Sequence, residues 1–132
     1  MLVYVFLIML IMHIIADYML QTDLMAKYKQ VKNWKEYIDK DKKYKYDFIV
    51  ILLIHSFEWA FFIILPTVVY DIIQNGYRDR LLVYVLFMLA INTCIHMYID
   101  NEKANRLSIN LLTDQLLHLL QIIFTFVAYV LF

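Results

Sequence analysis

Residues 2–20, LVYVFLIMLIMHIIADYML, decide how the rest of the chain is read: an unbroken apolar run through Met12, then a histidine and an aspartate four positions apart. A bilayer core of roughly 30 Å takes about 20 helical residues at about 1.5 Å each, so this stretch is long enough to cross it. It has no basic leader and no A-x-A-like cleavage site, and it ends in His13-Ile14-Ile15-Ala16-Asp17. It therefore reads as a permanent span and not as a removable signal.

Three more runs of that length follow, at about 48–73, 81–100 and 109–132, leaving nothing for a soluble domain. The runs are continuously apolar over their outer halves, whereas a membrane β-barrel needs segments of about ten residues with alternating polarity. The expectation is one integral membrane domain over 1–132: all-α, polytopic, an antiparallel four-helix transmembrane bundle. Pro66 is expected to kink the second helix, and Gln74-Asn75-Gly76 to close it. Composition agrees, because 64% of the 132 residues are hydrophobic and only 18% charged, against roughly 45–50% apolar in soluble domains. Twelve basic and twelve acidic residues cancel, which leaves no basic field for nucleic acid. The single cysteine, Cys94, forms no internal disulfide.

The loops set an orientation. Lys27, Lys29, Lys32, Lys35, Lys40, Lys42, Lys43 and Lys45 lie between the first two spans and Lys103 and Arg106 between the last two, while the opposite side carries only Arg78 and Arg80. Positive-inside bias then places the Lys-rich loop in the cytoplasm and both termini outside, in a cell inner membrane. Within that loop Tyr28, Val31, Trp34 and Ile38 recur at helical spacing beside Tyr37. They predict a short interfacial amphipathic helix between helices one and two, lying on anionic headgroups; a solvated loop with incidental aromatics is the bland alternative.

Ionisable groups inside a span cost several kcal/mol each, so each calls for a reason. Here His13 and Asp17, His55 and Glu58, His96 and Asp100, and Asp114 and His118 supply one histidine and one carboxylate per helix, with Asn92 and Gln121 nearby. Spacings of three or four put each pair on one helix face. Counting rise from the loop ends puts all four histidines at similar depth, with Glu58 deepest of the acids. Asp114 suits the first turn of its helix, but Asp17 and Asp100 lie near C-termini, where negative charge is disfavoured without a cation. Imidazole plus carboxylate suits a divalent metal, Zn first, with Mn or Fe as alternatives. The candidate ligands are His13, His55, His96, His118, Asp17, Asp100 and Asp114, some of them orienting others. Mutual His–Asp hydrogen bonding without metal, or an ion path, is the competing account. Trp59, Phe61 and Phe62 read as packing or lipid-facing groups.

The strings His13-Ile-Ile-Ala-Asp17-Tyr-Met-Leu-Gln21, the isolated His55, His96-Met-Tyr-Ile-Asp100-Asn-Glu-Lys103 and Asp114-Gln115-Leu-Leu-His118 occur in that order. Together they resemble a bacterial and phage membrane family called domain of unknown function 3307, over essentially the whole chain. The resemblance implies a small polytopic membrane protein, brings no established activity, and adds Gln21, Lys103 and Gln115 to the candidate site. A lysine after its first motif corresponds to Lys27 or Lys29.

The leading functional expectation is a metal-dependent intramembrane hydrolase open to the cytoplasmic leaflet and acting on a phosphate-bearing lipid. Bound water would be activated by the metal, with Glu58, Asp17 or Asp100 as catalytic carboxylates. Lys27, Lys103 and Arg106 would hold the phosphate, unless they serve topology alone. A metal-ion or proton transporter is the alternative, opposed by uncharged far halves of the spans. A non-catalytic module that binds membrane or partner through the loop is the third. With one glycine, any homo-oligomer packs through larger side chains.

Overall fold

The structure, a computed structural model, describes residues 2–132 and has no strand among them. Helix α1 (Leu2–Ile14) runs on into a π-helical segment, Ile15–Leu20, and stops at Gln21, which is extended. The Thr22 hydroxyl then accepts the Met25 N–H and starts α2 (Asp23–Tyr28). A 3₁₀ turn (Val31–Trp34), α3 (Lys35–Lys40) and a second 3₁₀ turn (Lys42–Tyr46) lead to α4 (Asp47–Asn75). After Gly76 come α5 (Asp79–Asn101), its π-helical extension Glu102–Arg106, and α6 (Leu111–Leu131), which Asn110 caps by accepting the Thr113 N–H.

Four apolar helical stretches are long enough to cross a membrane: Leu2–Leu20, Lys42–Asn75, Asp79–Arg106 and Leu111–Leu131. They agree with the expected spans except that the second and third continue farther on the loop side. Helix α4 continues through Pro66 without a break, and the Thr67 hydroxyl donates to the Ile64 carbonyl beside it. Gly76 ends the helix at φ 69°, a left-handed conformation that glycine adopts without a Cβ penalty.

The segment between the first two spans is helical as expected, in four short turns and not one continuous helix. Extended backbone at Gln30 and Asp41 interrupts the ladder, and the Asp41 carboxylate accepts the Lys43 N–H to restart it. The aromatic residues still assemble. Ring centroids lie 5.1 Å apart for Tyr28 and Trp34, 5.7 Å for Trp34 and Tyr37, and 6.0 Å for Tyr37 and Tyr44. The Trp34 indole N–H donates to the Tyr28 carbonyl at 2.7 Å, so this strip holds itself together while the lysines around it, Lys29 apart, stay exposed.

Around the bundle α1 packs on α4, α4 on α5, α5 on α6, and α6 back on α1. Its polarity is that of a membrane protein: Val83 and Leu120 are 67% and 61% exposed while His96 and His118 are 0% exposed. Lipid can solvate the outside, and only the helices themselves can satisfy the polar inside. Away from the loop end, Val5, Met9, Trp59, Ile63 and Ile122 form one apolar cluster and Ile64, Leu81, Tyr84, Met88 and Tyr129 another. At the far end buried Asp71 accepts hydrogen bonds from Arg78, Asn75 and the Tyr129 hydroxyl, tying the α4–α5 turn to α6.

Candidate metal centre

Helical spacing of four puts His96 above Asp100 on α5 and Asp114 below His118 on α6, and packing turns both pairs inward. The Asp100 carboxylate is the hub. Its Oδ1 lies 3.8 Å from His96 Nε2 and 3.6 Å from His118 Nε2, while Oδ2 lies 3.5 Å from His55 Nε2. Asp17 Oδ1 faces His55 at 3.6 Å and His96 at 3.9 Å, and Asp114 Oδ1 faces His118 at 3.5 Å. These spacings are long for hydrogen bonds. They are close to the roughly 3.4 Å that separates ligand atoms set tetrahedrally about 2.0–2.1 Å from one ion. Two sets of donor atoms, Asp17 with His55 and His96, and His96 with Asp100 and His118, each lie within 4.8 Å of one another.

Both ring nitrogens of His96 and of His118, His55 Nδ1 and Asp114 Oδ1 are buried without a hydrogen-bond partner among the described residues. Buried polar groups are normally satisfied, so this many orphans in one place asks for an occupant. The His96 and His118 rings are stacked 4.3 Å apart, and the Trp59 ring stacks on His96 at 4.4 Å.

His13 lies beside the cluster, its Nδ1 3.7 Å from Asp17 Oδ2. The indole N–H of Trp59 donates to His13 Nδ1 at 2.9 Å, and an indole can only donate. Nδ1 is therefore the unprotonated nitrogen, and Nε2 carries the proton toward Gln115 Oε1 at 3.2 Å. With both nitrogens engaged, His13 holds Gln115, whose amide N–H₂ in turn donates to Asp114 at 2.9 Å. Gln21 acts alike from the other side, its amide nitrogen 2.9 Å from His55 Nε2. Trp59, which sequence spacing assigns to packing, is thus part of the site; an aromatic residue at helical period carries no mark that separates the two roles.

Of the cations, Lys29 and Lys103 reach the cluster. Lys29 Nζ donates to Asp100 Oδ2 at 2.7 Å and Lys103 Nζ to Asp114 Oδ2 at 2.6 Å. Asn105 places Lys29 by donating to its carbonyl and accepting the Val31 N–H, which clamps the first loop to the end of α5. Lys27 is exposed over the Tyr28 ring, and Arg106 pairs with Glu102 at the surface, so neither meets the centre. Glu58 is also apart from it: three residues beyond His55 it has turned to the flank of α4, half-buried, with no hydrogen bond or ion pair among the described residues. Asp17 and Lys103 both ride on π-helical segments, the wider turns that recur at functional sites.

A cavity of about 110 Å³ lies over the centre, bounded by Asp17, Gln21, Lys29, Asp100, Lys103 and Gln115. A larger one of about 330 Å³, with Lys29, Lys32 and Lys103 on its walls, lies toward the loop. On the opposite side of the centre a file of buried polar groups continues inward. Gln121 and Thr125 donate to Asn92 Oδ1 at 2.9 and 3.0 Å, and the Tyr84 hydroxyl lies 3.5 Å from both the Thr125 carbonyl and the Thr67 hydroxyl.

A sequence-family model described as protein of unknown function (DUF3307) matches residues 5–132. No curated protein and no solved structure matches the chain.

Proposed function

The chain belongs to that family of unknown function, DUF3307, and from this premise we propose that it is a metal-dependent intramembrane hydrolase acting on a phosphate-bearing lipid. The observation that carries the reading is the set of orphaned imidazole nitrogens of His96 and His118 facing Asp100 and Asp114 at 3.5–3.8 Å in a buried centre. A divalent ion, Zn first and Mn or Fe next, would be held by His96, His118 and Asp100, with Asp17 or Asp114 completing the shell and His55, whose Nε2 meets the Gln21 amide, beside it. Its charge would lower the pKa of a bound water toward neutrality. Hydrolysis would add the water's oxygen to phosphorus as the phosphorus–oxygen bond to the lipid breaks, the leaving oxygen taking up the proton that the water gives up. Asp17, at the edge of the small cavity, is placed to accept the proton that the water gives up.

The lysines support the choice of substrate. Each now neutralises an aspartate, and a metal ion would take over that task. Lys29 and Lys103, freed beside the larger cavity, would then meet a phosphate and the charge that develops on it. On this reading the cavity opens to the leaflet on the loop side, the cytoplasmic one by charge bias, where the exposed lysines meet anionic headgroups.

Elemental mass spectrometry on the detergent-solubilised protein tests the metal, beside Asp100→Asn and His118→Ala. Near-stoichiometric Zn, Mn or Fe in the parent, absent from folded variants, supports the centre. Phosphate release from long-chain phosphomonoesters then tests the reaction. No metal uptake from any of the three ions would end the hydrolase reading.

A second reading, passage of protons or metal ions, is favoured by one observation: the polar file through Asn92, Gln121, Thr125, Tyr84 and Thr67 points toward buried Asp71 at the far end. Ion flux into sealed vesicles that is abolished by Asn92→Leu, with hydrolysis absent, would decide for it.

A further inference from the structure

We infer that the chain forms a two-fold symmetric dimer in the membrane through the α4 face that carries Glu58, and that the two Glu58 carboxyl groups pair across the axis.

Glu58 lies eleven residues into α4, about 16 Å along a helix of roughly 43 Å, and so at mid-bilayer depth. It is half-buried and has no partner among the described residues. A lone acid at the edge of the hydrocarbon calls for a partner, and polar side chains hydrogen-bond across membrane helices. The chain's own composition narrows the choice. No Lys or Arg lies within 2–26, 46–77, 81–102 or 107–132, and all four histidines are buried in the centre. Another lipid-facing surface of the same chain therefore offers no cation to a Glu58 pressed against it.

Two carboxyl groups brought face to face share a proton between their oxygens, one donating and the other accepting. Two copies in one membrane share an orientation, so a two-fold axis along the bilayer normal brings Glu58 to Glu58 at equal depth. Leu65 and Val69 follow at seven and eleven residues on the same stripe. There they help line an apolar groove of about 340 Å³ between α1 and α4, closed on the other side by Tyr4, Ile8 and Met12. Exposed Ile54 and Phe61 flank the acid one turn away on either side, ready to fill the partner's surface.

The test counts subunits by single-molecule photobleaching in dilute lipid vesicles. It compares the parent with Glu58→Gln and Glu58→Leu, with helicity and metal content measured on each. The parent is expected to be dimeric. Glu58→Gln, whose amide also donates and accepts, should remain so, and Glu58→Leu should dissociate at least ten times more readily. In a Cys94→Ser background, Phe61→Cys should cross-link to itself on oxidation. A monomeric parent, a Glu58→Leu variant that dimerises equally well, or a dimer that Phe61→Cys fails to cross-link would overturn the proposal. If Glu58→Gln dissociates like Glu58→Leu, the acid requires a cation on a different protein, and the proposal also fails.

Discussion

At the scale of single residues the centre is ordered by donors that have no choice. The Trp59 indole can only donate, so it fixes the His13 tautomer, and through Gln115 that choice reaches Asp114. Trp59→Phe keeps the ring stacking but leaves His13 Nδ1 an unsatisfied buried acceptor. It should lower stability by about 1–2 kcal/mol in a detergent melt and weaken metal binding by about 10–100-fold, the usual effect of losing an orienting partner. Asp100→Asn removes the hub and strands Lys29 beside the histidines, which should destabilise the protein by on the order of 3 kcal/mol and abolish metal uptake. Lys29→Met tests the same pair from the other side: ion binding should survive while turnover of a phosphorylated lipid falls. Much at this scale was legible in sequence, because spacings of four on a helix are geometry: His96 with Asp100 and Asp114 with His118 converge as expected. Glu58 was not, since a spacing of three from His55 leaves about 60° of rotation, enough to carry a side chain from core to lipid. Lys29 against Lys27 was undecidable, because the end of α1 and the turn into α2 set which lysine faces inward.

At the scale of elements the four spans follow from hydropathy and length alone. The π-helical segments Ile15–Leu20 and Glu102–Arg106 left no trace in the pattern, for an extra residue in a turn has no compositional signature. Asp17→Asn keeps the π-helical segment and removes the carboxylate charge that it carries. Helicity by circular dichroism should be unchanged while metal affinity drops, and unaltered affinity would mean that Asp17 contributes nothing to the shell. The loop between the first two spans shows the converse case. Tyr28, Trp34 and Ile38 do keep a helical period, yet extended Gln30 and Asp41 divide the segment, and the period reflects aromatic side chains that gather on each other.

At the scale of the whole molecule the inverted polarity fixes what ligand removal does. Chelation should leave a folded bundle, because Lys29 and Lys103 already balance Asp100 and Asp114. Adding the preferred ion at about a thousand times its Kd should raise stability by roughly 4 kcal/mol, read as a shift in melting that Asp100→Asn does not show. Sidedness is a separate expectation of the lysine bias. A membrane-impermeant thiol reagent should label Lys40→Cys only in inside-out vesicles and Tyr77→Cys only in right-side-out ones, in a Cys94→Ser background.

Two of the helices that enclose the centre, α1 and α6, are made about a hundred residues apart. His13 on α1 waits for Gln115 on α6, and Asp100 waits for His118. At about 5–20 residues per second, α1 spends roughly 5–20 seconds in the bilayer before its closing partner leaves the ribosome. During that interval the polar groups of three helices face one another with the fourth wall missing. The growing protein therefore depends on its insertion machinery to shelter them, and a variant that slows synthesis between residues 60 and 110 should be degraded more readily than its finished stability implies.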